Sequence, residues 1–175
     1  MKGTHEMSEI NFEIFEKADV NSGNAAAVIE LKDGRVFQKV LLKPNTNYKL
    51  SAYLKLKAND PLWISGYALL GAFTTMENDI ISGDYPTNRI DIDSTLLIQL
   101  SDLDDTFNEV SFRFNSKDNK EALIGVFHSA RATKNALFVD DFKLVEENSD
   151  ENILLNPSFE DETAWVYVDS SRKVL

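Results

Sequence analysis

An all-β fold, a sandwich or barrel of short strands, is what this sequence predicts, on three observations. Apolar and polar residues alternate at period two in segment after segment. Turn-forming residues interrupt those segments at short intervals, and no stretch carries a convincing amphipathic-helix pattern. The 175 residues suffice for one domain with a sizeable core, and a chain 43% hydrophobic and 27% charged is ordinary for a globular protein.

The elements follow in order. Ile10 to Phe15 alternates, with Ile10, Phe12 and Ile14 on one face. A turn at Asn21-Ser22-Gly23-Asn24 leads into a strand from Ala25 to Leu31, and Asp33-Gly34 is the strongest short hairpin signal in the chain. Val36 to Leu42 reads as a strand, Pro44 to Asn47 as a turn, and Tyr48 to Leu56 as a clean alternation. There Tyr48, Leu50, Ala52, Leu54 and Leu56 take one face while Lys49, Ser51, Tyr53 and Lys55 take the other. Leu62 to Phe73 is apolar on both faces, and Gly66 and Gly71 argue for one or two buried strands there rather than a helix. Thr74 to Asp93 is a long polar stretch of the kind that tends to carry function. Leu96 to Leu100, Asn108 to Asn115 and Ala122 to His128 follow as strands, with Val110, Phe112 and Phe114 sharing a face. A loop through Thr133-Lys134-Asn135 precedes the closing strand, Ala136 to Glu146. Residues 10–147 thus form the domain, 148–151 read as a linker, and 152–175 begin something new.

Composition excludes several functions. The net charge of −11 with no visible Lys/Arg patch argues against nucleic acid and against anionic membrane surfaces. No apolar run approaches the roughly 18 residues a bilayer-spanning helix needs. With no cysteine, disulfides, thiolate catalysis and thiolate zinc sites are ruled out, and two histidines cannot make a three-histidine metal site. The opening MKGTHEMSE has no apolar h-region and looks like an artificial edge, so residues 1–9 stand outside the domain.

Three segments carry a resemblance: VFQKVLLKPNTNYKLSAYLKL at 36–56, ALFVDDFKLVE at 136–146 and NILLNPSFEDETAW at 152–165. Together they resemble the carbohydrate-binding modules of families 4, 9 and 22, of the galactose-binding-like jelly-roll group. The first is similar to that family's paired strands around its Lys-Pro-Asn-Thr turn, the second to its closing strand and the third to its opening strand. The opening strand stands at the C-terminus here, and INFEIFEKADVNSGNAAAVIEL at 10–31 is similar to the second and third strands. Two orders are open: a circular permutation in which residues 152–175 complete the same sandwich, or the start of a tandem module. Trp165 is expected in the core.

The resemblance implies a jelly-roll β-sandwich of two antiparallel sheets and a structural Ca²⁺, held by Glu160, the loop from Ser22 to Ala25, and Asp140. Hard carboxylate and carbonyl oxygens suit that ion. It also implies a sugar site. Sugars offer apolar C–H faces ringed by hydroxyls, so a site needs an aromatic platform with polar groups at its rim. The candidates are Trp63 and Tyr67, four residues apart on one strand face; Tyr53, opposite the apolar stripe of its strand; Tyr85, Asn88 and Arg89 in the long polar stretch; Arg113; and His128 at a strand end. Each has an ordinary structural alternative: core aromatic, cross-strand tyrosine, solvated arginine, satisfied histidine. Arg89 or Arg113 could read one carboxylate or sulfate.

Catalysis is not expected. Asp91 with Asp93, and Asp102 with Asp104 and Asp105, are carboxylate pairs, but such runs in an acidic chain are usually solvated loops. The expected function is a non-catalytic, secreted or cell-surface bacterial module that binds a polysaccharide or oligosaccharide. It would serve as an accessory domain targeting a linked glycoside hydrolase. The alternative is a structural or adhesive β-sandwich without a sugar site, and a tail that inserts into a neighbouring copy would allow strand exchange.

Overall fold

In a computed structural model, the described residues are 20–29, 34–58, 64, 66–74, 90–130, 135–161 and 164–168. They form nine strands: β1 Ala27–Ile29, β2 Arg35–Leu41, β3 Asn47–Ala58, β4 Gly66–Phe73, β5 Thr95–Gln99, β6 Asn108–Asn115, β7 Glu121–Ala130, β8 Asn135–Glu146 and β9 Val166–Val168. Single 3₁₀ turns at Ile92–Ser94 and Leu100–Asp102 flank β5. The strands make two antiparallel sheets, one of four strands in the order β1-β8-β3-β6 and one of five in the order β5-β4-β7-β2-β9. This is a two-layered β-sandwich, one of the two architectures the alternation predicts, and it fits the jelly roll that the resemblance implies.

The period-two pattern decides which side chains meet between the layers. From the four-stranded sheet come Tyr48, Leu50, Ala52, Leu54 and Leu56 of β3, Phe114 of β6, and Leu137, Val139, Phe142 and Leu144 of β8. From the five-stranded sheet come Val36 and Val40, Ala68, Leu70 and Ala72, and Ala122, Ile124 and Val126. The expected stripes of β3 and β6 therefore both point inward, with Val110 and Phe112 packed at the margin.

Leu62–Phe73 looked apolar on both faces, and β4 shows why. Its odd-numbered residues join a second buried cluster on the far side of the five-stranded sheet: Phe37, Leu69, Phe73, Leu123 and Phe127. Gly71 and Gly125 face each other in that layer. A Cβ on Gly71 would lie 2.7 Å from Phe73 Cζ, so the Phe73 ring lies along its own strand over the glycine. A Cβ on Gly125 would lie 2.6 Å from Phe37 Cβ. The two glycines thus give the rings room to lie close to the sheet, and Phe73 meets Phe127 edge to face at 5.0 Å.

Two pairings read from the sequence are corrected. The Asp33-Gly34 turn does not close a hairpin, because β1 pairs with β8 in one sheet and β2 with β7 and β9 in the other. Likewise β2 and β3 are not partners: the Pro44-Asn45 turn carries the chain from one sheet to the other. A local turn signal reports a reversal of direction, not which edge the next strand finds. Both edges of β2 are already occupied. The expected strand at Ile10–Phe15 lies outside the described residues.

The segment from Asn152 to Val168 lies against the same two sheets. Leu154, Phe159 and Trp165 belong to the inter-sheet core, and Trp165 is 6% exposed. The Trp165 ring packs 4.7 Å from Phe142 and 4.8 Å from Phe159, and its Nε1–H donates to the Asn156 carbonyl at 2.8 Å. Two further clamps hold the segment. Gln38 of β2 exchanges two hydrogen bonds with the Leu155 backbone, each 2.9 Å. Asn152 bridges the Phe142 carbonyl and the Leu144 N–H. A Trp165→Ala substitution should therefore cost about 3–5 kcal/mol in equilibrium denaturant unfolding, the range for a core aromatic cut to alanine; a loss below about 1 kcal/mol would mean the ring is not core.

Candidate functional site

One end of the sandwich gathers carboxylates from distant parts of the chain. The β3–β8 register slips between Ser51 and Tyr53, and Asp141 takes a left-handed φ of 47°. This bulge breaks the alternation of β8 and turns Asp140 and Asp141 toward the loop at 21–25. Asp140 is wholly buried. Its Oδ2 accepts the N–H groups of Asn21 at 2.8 Å and Ser22 at 3.1 Å. Asp141 accepts from the Ser22 hydroxyl at 2.6 Å, the Ser158 hydroxyl at 2.7 Å and the Asn21 amide at 2.7 Å. Glu160 Oε1 accepts from the N–H groups of Asn24 at 2.8 Å and Ala25 at 3.2 Å. The residues expected to hold a metal, Asp140, Glu160, Ser22 and Ala25, thus gather around one loop.

Burial pushes the Asp140 carboxyl up to about 6, against the pull of the Ser22 and Asn21 N–H groups. Burial acts on Asp141 in the same sense, but hydrogen bonds from Ser22, Ser158 and Asn21 outweigh it and hold its carboxyl below the usual range. The residue types fit a hard, oxygen-seeking cation. Asp140 is a buried carboxylate that makes no ion pair among the described residues, and Asp141 and Glu160 flank the loop. In the observed arrangement, however, Ser22 and Ala25 turn N–H donors, not carbonyls, toward the carboxylates. No group of three or more acidic or histidine side chains among the described residues stands close enough to cage an ion.

The expected sugar-binding residues fall on different faces. Tyr67 lies on the outer face of the five-stranded sheet, half-buried, with Gln99 of β5 directly opposite it. The open surface around the buried rings of that face comes from Gln99, Leu97 (52% exposed), Leu41, and the ion pair of Lys39 with Glu121 at 3.1 Å. Arg35 sits buried on the same face, opposite Phe127. Tyr53 and Arg113 lie on the outer face of the other sheet, with Arg113 opposite Lys49 and Tyr53 opposite Glu109. His128 is 1% exposed and shares the inward side of β7 with Ala122, Ile124 and Val126. Facing the core, it does not reach a glycan on either outer face. Trp63, Tyr85, Asn88 and Arg89 lie outside the described residues.

Sequence reasoning missed Gln99, although the alternation of TLLIQ places it beside Thr95 and Leu97 on one face. It also missed Lys55, whose stem is buried on the outer face of the four-stranded sheet. Lys55 Nζ lies 5.3 Å from the Phe138 ring centre and 5.7 Å from that of Phe107, and pairs with Asp105 at 3.2 Å. A lysine within an alternating strand gives no signal that its stem is covered. Of the carboxylate pairs, Asp104 is held low by hydrogen bonds from Thr106, and Asp91 pairs with Lys117 at 2.9 Å.

No protein-family model matches the chain, and no curated protein matches it. Solved structures do. The chain is similar to carbohydrate-binding modules. "Family 16 Carbohydrate Binding Module-2" is 19% identical, with a TM-score of 0.46 over 73% of this chain and 81% of that one. TmCBM61, solved in complex with beta-1,4-galactotriose, is 17% identical, with a TM-score of 0.48 over 74% and 76%. The CBM22-1 xylan-binding domain of Xyn10C from Paenibacillus barcinonensis is 12% identical, with a TM-score of 0.45 over 74% and 76%.

Gly23 offers a direct test of the loop. At its φ of +61° a side chain is strained, and a Cβ would fall 2.0 Å from Glu160 Oε1. Gly23→Ala should lower stability by about 1 kcal/mol or more. Adding Glu160→Gln to it should cost much less than Glu160→Gln alone. Full additivity of the two changes would show that Glu160 does not brace this loop.

Proposed function

We infer that this chain binds a glycan on the outer face of its five-stranded sheet and performs no chemistry on it. The observation that carries the reading is the pairing of Tyr67 with Gln99 at the margin of a flat apolar floor. An aromatic ring supplies a stacking surface for the C–H face of a sugar, and an amide beside it can both donate to and accept from the rim hydroxyls. Phe37, Phe73 and Phe127 are buried, so they set the shape of the floor rather than meet the ligand.

In the same reading the chain is a secreted or surface-exposed bacterial module that holds a linked polysaccharide-degrading domain near its substrate. Residues 152–168 serve as its own opening strand, in permuted order. Calcium is structural: Asp140, buried and without an ion-pair partner among the described residues, would be its central ligand, with Glu160 and the 22–25 loop beside it. The ion would tie the start of the domain to β8 and the C-terminal segment. A second reading, a spacer or adhesive sandwich with no sugar site, draws on the burial of the floor rings.

The test is a panel of neutral oligosaccharides titrated with wild type, Tyr67→Ala and Tyr53→Ala, each with and without EDTA. Tyr67→Ala should weaken binding by about tenfold or more, corresponding to about 1.4 kcal/mol, a typical aromatic contribution, while Tyr53→Ala leaves it unchanged. EDTA should lower the melting temperature. Binding that survives Tyr67→Ala places the site elsewhere; no binding to any glycan favours the spacer; an unchanged melting temperature argues against calcium.

A further inference from the structure

The C-terminal segment is physically separable from the body it completes. Residues 147–151 join the two, and Glu147, Asn148, Asp150 and Glu151 are exposed. Asn148 holds a left-handed φ of 72°. Among the described residues four bonds hold this hinge: Glu147 N–H to the Asn47 carbonyl at 2.8 Å, Asn47 Nδ2–H to Glu147 Oε2 at 2.8 Å, Ser149 N–H to the Glu146 carbonyl at 3.0 Å, and Glu151 N–H to Ser149 Oγ at 3.1 Å. Past the hinge the segment bonds within itself, with the Phe159 N–H and Trp165 Nε1–H donating to the Asn156 carbonyl and the Asn156 amide donating to Asp161, and it also contacts the body. Leu154, Phe159 and Trp165 enter the core, Asn152 and Leu155 bond to β8 and to Gln38, and β9 pairs with the edge of β2 opposite β7.

Phe159 and Ala164 sit at φ of 56° and 72°. Residues other than glycine, asparagine and aspartate keep such angles only where the surroundings over-determine them. The segment's own turn around Asn156 and the seat on the body together hold these angles. Every group that makes the seat is present in any other copy of the chain.

We propose that this seat accepts residues 152–168 of a second copy, so that two chains exchange these segments while only 147–151 change path. The occupant is fixed by what already fills the seat: the partner's segment would make the same core contacts, the same Gln38 clamp and the same β9–β2 pairing. The balance between the two states follows from the tether. A short flexible tether gives an effective concentration of roughly millimolar, so at lower protein concentration a chain fills its own seat. A tether too short to span removes that advantage and leaves the second copy as the remaining source.

Light scattering on the full chain, and on a chain lacking residues 149–151, tests this. The full chain at micromolar concentration should be a monomer. The shortened chain should be a dimer with native near-ultraviolet circular dichroism, and inserting Gly-Ser residues at the hinge should return it to monomer. Refolding the unaltered chain at millimolar concentration should trap a dimer that persists on dilution. A shortened chain that is a folded monomer, or one unfolded at every concentration, overturns the proposal. So does refolding at millimolar concentration that yields monomer alone.

Discussion

The packing of Phe142, Phe159 and Trp165 at one end of the inter-sheet space is the interaction on which the rest of the structure leans. Phe142 belongs to β8, immediately after the bulge, while the other two rings come from the C-terminal segment. The three lie within 6.0 Å of one another, centre to centre. Without the latter two, the sandwich would be open at that end, and the loop that gathers Asp140, Asp141 and Glu160 would lose the residue that closes it. Apolar burial here does more than stabilise. It fixes the distance between the start of the described chain and β8, and so the geometry of every carboxylate contact between them.

The same core sets the character of the two outer faces. Because β4 and β7 are apolar on both sides, the five-stranded sheet carries a ring-lined floor on its exterior, bordered by Tyr67, Gln99, Leu97 and Leu41. The four-stranded sheet, interrupted by the bulge in β8, shows water Lys49, Arg113 and Lys143 on its exterior. The two outer faces thus differ in kind: one has a continuous layer of buried rings, and the other pairs charges with the Lys55 stem packed between Phe107 and Phe138.

The alternation of β3 and β6 was fully legible in the sequence, because each buries one face and the period is two. The core position of Trp165 and the meeting of Asp140, Glu160 and the 22–25 loop also followed, both through the resemblance of three motifs to one family type. Strand partnership was not legible. Asp33-Gly34 and Pro44-Asn45 announce reversals, but which sheet the next strand joins depends on edges built from residues far along the chain, as in the pairing of Gln38 with Ile124. The scatter of Tyr53, Tyr67, Arg113 and His128 over three environments has the same origin. A residue's face follows from local alternation, whereas the layer that face looks onto is a property of the whole topology. His128 shows this most sharply, since a strand-end histidine and an inward-facing one read alike.

Amide hydrogen exchange on the full chain tests the central claim most directly, namely that the C-terminal segment is part of one cooperative core. The amide of Phe142 bonds to the Pro157 carbonyl and that of Ile153 to the Leu144 carbonyl, each at 3.0 Å. Both should exchange only through global unfolding, with the same opening free energy as Leu50 in the centre of β3. If these two amides exchanged orders of magnitude faster than Leu50, the segment would be a loosely attached tail and the account would fail.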